Sequence, residues 1–336
     1  MSQELSLYDD LSPLARAAQA ADQAAQEHVL EDYLQKTAAE TRRRQYGDIA
    51  LFERYLAEAH VQLAGMADDL QLWGDLSDGL VEGFLRWQLK QGYAIKSINV
   101  RLATIKAYCR LAAKARSLPG EQYQRITLVE GIRKGAGVNM DEKREVTRVG
   151  EKKAQATPIT PVHVNVIKLE LRKQAEQDSF FASSLLLFCL LSDLGLRCGE
   201  VAPLSRQSID LVGGQLRFYR HKVKKWQTHQ LKPDVFAAAR LYFDLYNPSP
   251  YLFPGEEAGA HLATRTVNWR IGQLGKLAGI EGLSPHDLRH YWATYSKGDL
   301  GILQQAGGWN SLAMPLLYRE EAAIANEGLT VPGGVL

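Results

Sequence analysis

Three polar stretches in the second half of this 336-residue chain carry side chains able to act on an anionic centre. In "LGLRCGEVAPL", Arg197 follows an apolar run and a glycine corner, with Glu200 three residues on. Taken alone, Arg197 reads as a helix C-cap or as the partner of Glu200. In "LSPHDLRHYWAT", Ser284 reads as an N-cap, Pro285 as the first helical residue and Asp287 as the third, so His286 and Arg289 share one face. Alone, that stretch is a well-capped helix. In "AGGWNSLAMPLLYREE", Tyr318 stands nine residues after Trp309 and, by itself, reads as a core aromatic with its hydroxyl at the surface. Together the set has a chemistry. Two guanidiniums are planar, permanently charged forks for an oxyanion. An imidazole can donate to that oxyanion or move a proton, whereas an indole N–H donates but exchanges none. A phenol, with a pKa near ~10, needs such a cationic setting to attack at neutral pH.

These side chains need elements to hold them. The apolar run "FFASSLLLFCLLSDLGL" predicts a buried helix ending near Gly195, preceded by a helix over "VHVNVIKLELRKQ". "QLRFY" at 215 to 219 alternates as a strand, and "THQLKP" supplies a second extended piece, with "RHKVKKWQ" at the turn between them. Helical patterns dominate afterwards. Earlier in the chain, apolar residues recur at helical spacing over 41 to 118: Tyr46, Ile49, Phe52 and Leu56, then Leu80, Phe84 and Leu89, then Ile98, Leu102, Ile105 and Cys109. This predicts a small helical bundle, with Ser77 and Ser97 as N-caps. Residues 1 to 40 form an acidic, alanine-rich helical leader too poor in large apolar groups to build its own core. Residues 136 to 160 are charged and lose the periodicity, which makes them the linker between a domain at 41 to 135 and one at 161 to 336.

Composition narrows the function classes. The longest apolar run is too short to cross a bilayer, and "MSQELSLYDD" lacks the order of a signal peptide, so a soluble, cytoplasmic protein with no membrane partner is expected. Cys109, Cys189 and Cys198 have neither disulfide-framework nor metal-ligand spacing. A net charge of +2 conceals an asymmetry: residues 1 to 40 hold eight acids and two bases, leaving 38 bases against 30 acids in the rest. That balance suits a polyanionic partner and equally a solvated surface.

The three stretches, in order, resemble the boxes of the tyrosine recombinases, the phage integrase family. "LGLRCGEV" resembles the first arginine box, "HDLRH" the His-x-x-Arg box, and "GGWNSLAMPLLY" the closing box, with 92 residues from Arg197 to Arg289 and 29 more to Tyr318. The resemblance covers residues 158 to 320, and the bundle before it looks like the family's core-binding domain. It implies a mainly α fold with a small β-sheet (α+β), and a site-specific recombinase that cuts and rejoins DNA through a 3′-phosphotyrosyl intermediate without metal, ATP or other cofactor. Tyr318 takes the nucleophile's place, Arg197 and Arg289 stabilise the phosphorane-like transition state, and Trp309 stands where many relatives carry histidine. His286 assists at a nonbridging oxygen or with the tyrosine proton, while Glu200 and His290 are supporting residues. The family's general acid is a lysine in the strand-turn-strand; Lys222 aligns with it, with Lys224 and Lys225 as neighbours. The implied partners are double-stranded DNA with inverted-repeat half-sites and a homotetramer joined by exchange of the C-terminal tail. A type IB topoisomerase-like nicking and resealing enzyme and a catalytically silent DNA-binding regulator are the alternative readings.

Overall fold

The computed structural model describes residues 12–149 and 156–322. The chain divides into two compact units, Met1–Lys152 and Lys153–Leu336.

The first unit is helical: α1 (Pro13–Glu27), α2 (Val29–Lys36), α3 (Ala39–Glu58), α4 (Asp78–Lys90), α5 (Ile95–Lys114), α6 (Gly120–Leu128) and α7 (Lys134–Asp141). Ile49, Phe52, Leu56, Phe84, Ile98, Leu102, Ile105 and Cys109 form its core as their spacing predicts, joined by Trp73 and Tyr108. Each large apolar side chain taken out of water contributes about 1.5–3 kcal/mol before the entropy of ordering the chain is subtracted. Tyr46 departs from the expectation: it is exposed, and its hydroxyl donates to Asp68. Ser77 caps α4 by accepting from the Leu80 N–H at 3.2 Å, but Ser97 lies inside α5, whose N-cap is Ala94. The acidic leader becomes α1 and α2. Nothing on α1 is buried, while Val29, Leu30 and Tyr33 of α2 pack on the unit's core. Within the charged stretch expected as linker, α7 forms and Arg144 donates at 3.1 Å to the carbonyls of Leu89 and Tyr93. Arginine capping of helix-end carbonyls leaves no apolar period to read.

The second unit comprises α8 (Pro161–Ala175), α9 (Ser179–Leu194), α10 (Cys198–Val201), β1 (Ile209–Asp210), β2 (Gln215–Arg220), β3 (Lys225–Gln230), α11 (Pro233–Tyr246), α12 (Thr264–Gly275), α13 (Pro285–Tyr295), α14 (Leu300–Gly307) and α15 (Ala313–Ala322). α9 is apolar all round and sits at the centre, with Leu185 to Leu191 buried against α8, α11 and α13. It closes on Gly195 at φ +62, where an added Cβ would lie 2.2 Å from the Trp292 ring, so both conformation and space demand glycine. The strands form one antiparallel sheet in the order β1-β2-β3. The hairpin turn is tighter than the sequence suggests, since Arg220 pairs with Lys225 and only residues 221–224 turn. Lys224, at φ +51, takes the left-handed position a short turn requires, and Trp226 and Gln227 are returned to the sheet.

Candidate active site

Several elements of the second unit converge on one cluster. The left-handed stop of α9 and the short α10 place Arg197, whose N–H donates to Glu200 Oε2 at 2.9 Å while its Nη1 donates to Oε1 at 2.8 Å. Glu200 is itself buried. α13 begins with the predicted capping box: Ser284 Oγ accepts from the Asp287 N–H, and the Asp287 carboxylate accepts from the Ser284 N–H at 2.8 Å and from Oγ at 2.7 Å. The start of α13 is thereby fixed, and Arg289 enters the interior two residues later. Only 3% exposed, it donates through Nη1 to the Gly195 carbonyl and through Nη2 to the Gly307 carbonyl at 2.6 Å, with its guanidinium 4.7 Å from the Trp309 ring centre.

α14 ends at Gly307, and Gly308 turns in the left-handed region at φ +61. The Gly307 carbonyl therefore faces the arginines, accepting from Arg197 Nη2 at 3.3 Å and from Arg220 Nη1 at 3.3 Å as well as from Arg289. α15 brings Tyr318, 1% exposed, between the Trp309 ring, with centres 5.5 Å apart, and the nearly perpendicular His290 ring, with centres 4.8 Å apart.

His286 sits at the exposed start of α13 and meets the cluster through His290, their Nε2 atoms 3.1 Å apart. His286 and Arg289 stand three apart on α13 as expected, and the contact His286 makes is with His290, an i,i+4 pair of imidazoles, one donating and the other accepting. Burial, then the neighbouring His290, lowers the His286 pKa below the ordinary imidazole value. Burial, then Arg197, pushes Arg289 down to about 10, which leaves it charged at neutral pH. The structure therefore brings together Arg197, Glu200, Arg289, His290, Trp309 and Tyr318, with His286 at the edge. Lys222 is not brought in: it is exposed on the β2–β3 turn, and no hydrogen bond or ion pair among the described residues links it to the cluster.

Sequence reasoning missed Arg220. Its signal was present, because in the strand Leu216, Phe218 and Arg220 lie on one face by the period of two, and the first two are core residues. Gly307 and Trp292 were also missed. A backbone acceptor has no side-chain signature, and Trp292 is recognisable only by its packing on Gly195 and Trp309.

A buried Arg289, a half-buried Arg197 held by the Glu200 carboxylate, and a phenol enclosed by an imidazole and an indole form a set of groups able to act on a phosphate. Residues 166–323 match the family model described as "Phage integrase family". The chain belongs to the tyrosine recombinases, the phage integrase family. It is 25% identical over 301 residues to tyrosine recombinase XerD of Pseudomonas putida, covering 86% of this chain and 90% of that one. It is 26% identical over 247 residues to tyrosine recombinase XerA of Pyrococcus furiosus, covering 71% and 75%. Its fold resembles the Tn1549 transposon integrase solved with transposon right-end DNA, with a TM-score of 0.60 at 13% identity over 87% of this chain and 93% of that one. The lambda integrase tetramer bound to a Holliday junction also gives 0.60, at 12% identity over 92% and 78%. Among the described residues, no helix is long and apolar enough to cross a membrane.

Proposed function

We propose that this tyrosine recombinase cuts and rejoins specific DNA sites with Tyr318 as its nucleophile. The observation that carries this reading is the enclosure of Tyr318 between the His290 and Trp309 rings, with the Arg289 guanidinium 4.7 Å from the same Trp309 ring. The Tyr318 oxygen attacks the scissile phosphorus, the P–O5′ bond breaks, and a 3′-phosphotyrosyl link and a free 5′-hydroxyl result. Attack by a partner strand's 5′-hydroxyl then releases Tyr318 and rejoins DNA, so bond energy is conserved through both steps. Arg197 and Arg289 stabilise the charge that accumulates on the nonbridging oxygens. Trp309 positions, and Glu200 orients Arg197.

Expelling a 5′-alkoxide calls for a proton donor. Lys222 fills that role if the hairpin turn closes over bound DNA, and its exposed position leaves the ammonium available for this. Lys222→Ala is expected to slow cleavage ~10²–10⁴-fold, and a 5′-bridging phosphorothiolate substrate, whose thiolate leaves without a proton, is expected to restore the rate. Failure of the thiolate to restore Lys222→Ala, with rescue of Lys224→Ala or Lys225→Ala, reassigns the acid.

Cationic side chains occupy the role that a metal clamp has in many nucleases. Cleavage is accordingly expected to proceed in excess EDTA; activity lost to the chelator and restored only by magnesium contradicts this mechanism. His286 acts here as a neutral imidazole donating to a phosphate oxygen or relaying the tyrosine proton through His290. Because its pKa is lowered, the neutral form persists as pH falls through the ordinary imidazole value near ~6.5. The acid limb of the single-turnover rate is thus expected below that value, and a limb at or above it, abolished by His286→Gln, argues against a depressed histidine.

The partners proposed are double-stranded DNA carrying inverted half-sites and three further copies of this chain. In support, the relatives of known structure include a tetramer on a Holliday junction and a XerH recombinase bound to a palindromic difH substrate. Exchange of the C-terminal tail between neighbours is part of the proposal; its residues 323–336 lie outside the described residues.

A further inference from the structure

The β2–β3 hairpin delivers one cation to the centre of the site, and it is Arg220. At 1% exposure it is among the largest fully enclosed side chains of the protein. Its donors are directed to four residues from three separate segments. Nε donates to Gln227 on β3. Nη1 donates to both Glu200 oxygens, at 2.9 and 3.1 Å, and to the Gly307 carbonyl at 3.3 Å, while Nη2 donates to the Ala306 carbonyl. Gln227 continues the link by donating from Nε2 to the Gln305 carbonyl at 2.8 Å. Gly308 leaves room for this arrangement, since an added Cβ there would lie 2.9 Å from Arg220 Cδ.

We propose that Arg220 is a positioning residue for strand cleavage, clamping the Glu200 carboxylate and the Ala306–Gly307 carbonyls so that Arg197 and Arg289 are held where the phosphate must sit. Glu200 Oε1 is shared between Arg197 Nη1 at 2.8 Å and Arg220 Nη1 at 2.9 Å, and the Gly307 carbonyl is shared among all three arginines. Without Arg220, Glu200 keeps one cation instead of two, and the end of α14 keeps the Gln227 hydrogen bond to the sheet but loses those to Arg220. The carboxylate, held from one side only, is then free to rotate and to carry the Arg197 guanidinium with it. Because the Arg220 guanidinium is enclosed, it acts through these neighbours without touching DNA. A lysine cannot replace it, as one ammonium cannot serve the carboxylate, two carbonyls and an amide together.

The inference rests on the recombinase reading above, so the wild-type protein is the first arm of its test. Single-turnover cleavage of a nicked duplex target is measured for wild type, Arg220→Met, Glu200→Gln and the double variant, each with oxygen and with sulfur at the 5′-bridging position. Displacement of catalytic groups by about an ångström costs roughly 10²-fold, so each single variant is expected to slow cleavage on that order while DNA affinity stays within about threefold. The double variant is expected to be no slower than the slower single, because both substitutions break one linkage. Sulfur is expected to restore neither. Multiplied effects in the double variant, wild-type rates in Arg220→Met, or rescue by sulfur each overturn the proposal, the last by making Arg220 a proton donor. If Arg220→Met does not fold, Arg220→Lys replaces it in the same cycle and is expected to be at least about tenfold slow, so a wild-type rate there overturns the proposal equally. Absence of any covalent adduct with the wild-type protein removes the recombinase reading and this inference with it, whereas adduct formation with additive variants removes this inference alone.

Discussion

Arg289→Ala is expected to lower the single-turnover cleavage rate by about 10³-fold or more, the loss typical when a preorganised donor to a developing oxyanion is removed. The arginine is 3% exposed, and its guanidinium lies across Trp309 with one nitrogen on Gly195 and the other on Gly307. Two consequences separate in experiment. The chemical step loses a charge that remains fixed in place before substrate arrives, which lowers the rate without much effect on affinity. The fold loses a partner for the Gly195 carbonyl, at about 1–3 kcal/mol for a buried acceptor left unpaired, and a lower melting temperature reads this. The Gly307 carbonyl still accepts from Arg197 and Arg220, so the site does not collapse entirely. Arg289→Lys keeps charge and stem but cannot span both carbonyls, and a rate between those of wild type and Arg289→Ala is expected. A cleavage rate within tenfold of wild type in Arg289→Ala contradicts its assigned role.

Tyr318→Phe is expected to abolish covalent attachment while DNA affinity stays within about threefold. Phenylalanine retains the ring that packs on His290 and Trp309 and removes only the hydroxyl, so the ring packing is kept. Since Tyr318 is 1% exposed, α15 has to shift before a phosphate can reach the hydroxyl. The segment is suited to that shift: it is ten residues long and exposes Leu316 and Leu317. Gel-shift titration beside denaturing electrophoresis separates binding from attachment, and a persistent adduct in the phenylalanine variant overturns the assignment.

Much of this site could be read before any coordinates, because its placement rests on local rules. The stop of α9 at Gly195 follows from an apolar run ending in a glycine, and the start of α13 from Ser284, Pro285 and Asp287 at their capping positions. The three boxes then supplied order and spacing. What escaped depends on contacts distant in sequence. Arg220 stood within a crowd of basic residues one position beyond the expected strand, and the four-residue turn extends the alternation of Leu216 and Phe218 to it while Lys222 is left exposed. The shared Gly307 carbonyl is a backbone group that any residue would provide. In the first unit, Ser97 looked like an N-cap because it precedes an apolar series, yet α5 begins earlier behind Ala94; Tyr46 matched the helical period but found Asp68 at the surface.

Strand exchange by this route requires that a DNA phosphate become bonded to Tyr318. A nicked suicide duplex, in which the cleaved 5′-hydroxyl strand diffuses away, traps that state; protease and nuclease digestion followed by mass spectrometry then locates the link. A nucleotide joined through its 3′-phosphate to Tyr318 is expected, together with a free 5′-hydroxyl on the released strand. Attachment to any other residue, or a link through a 5′-phosphate, contradicts it.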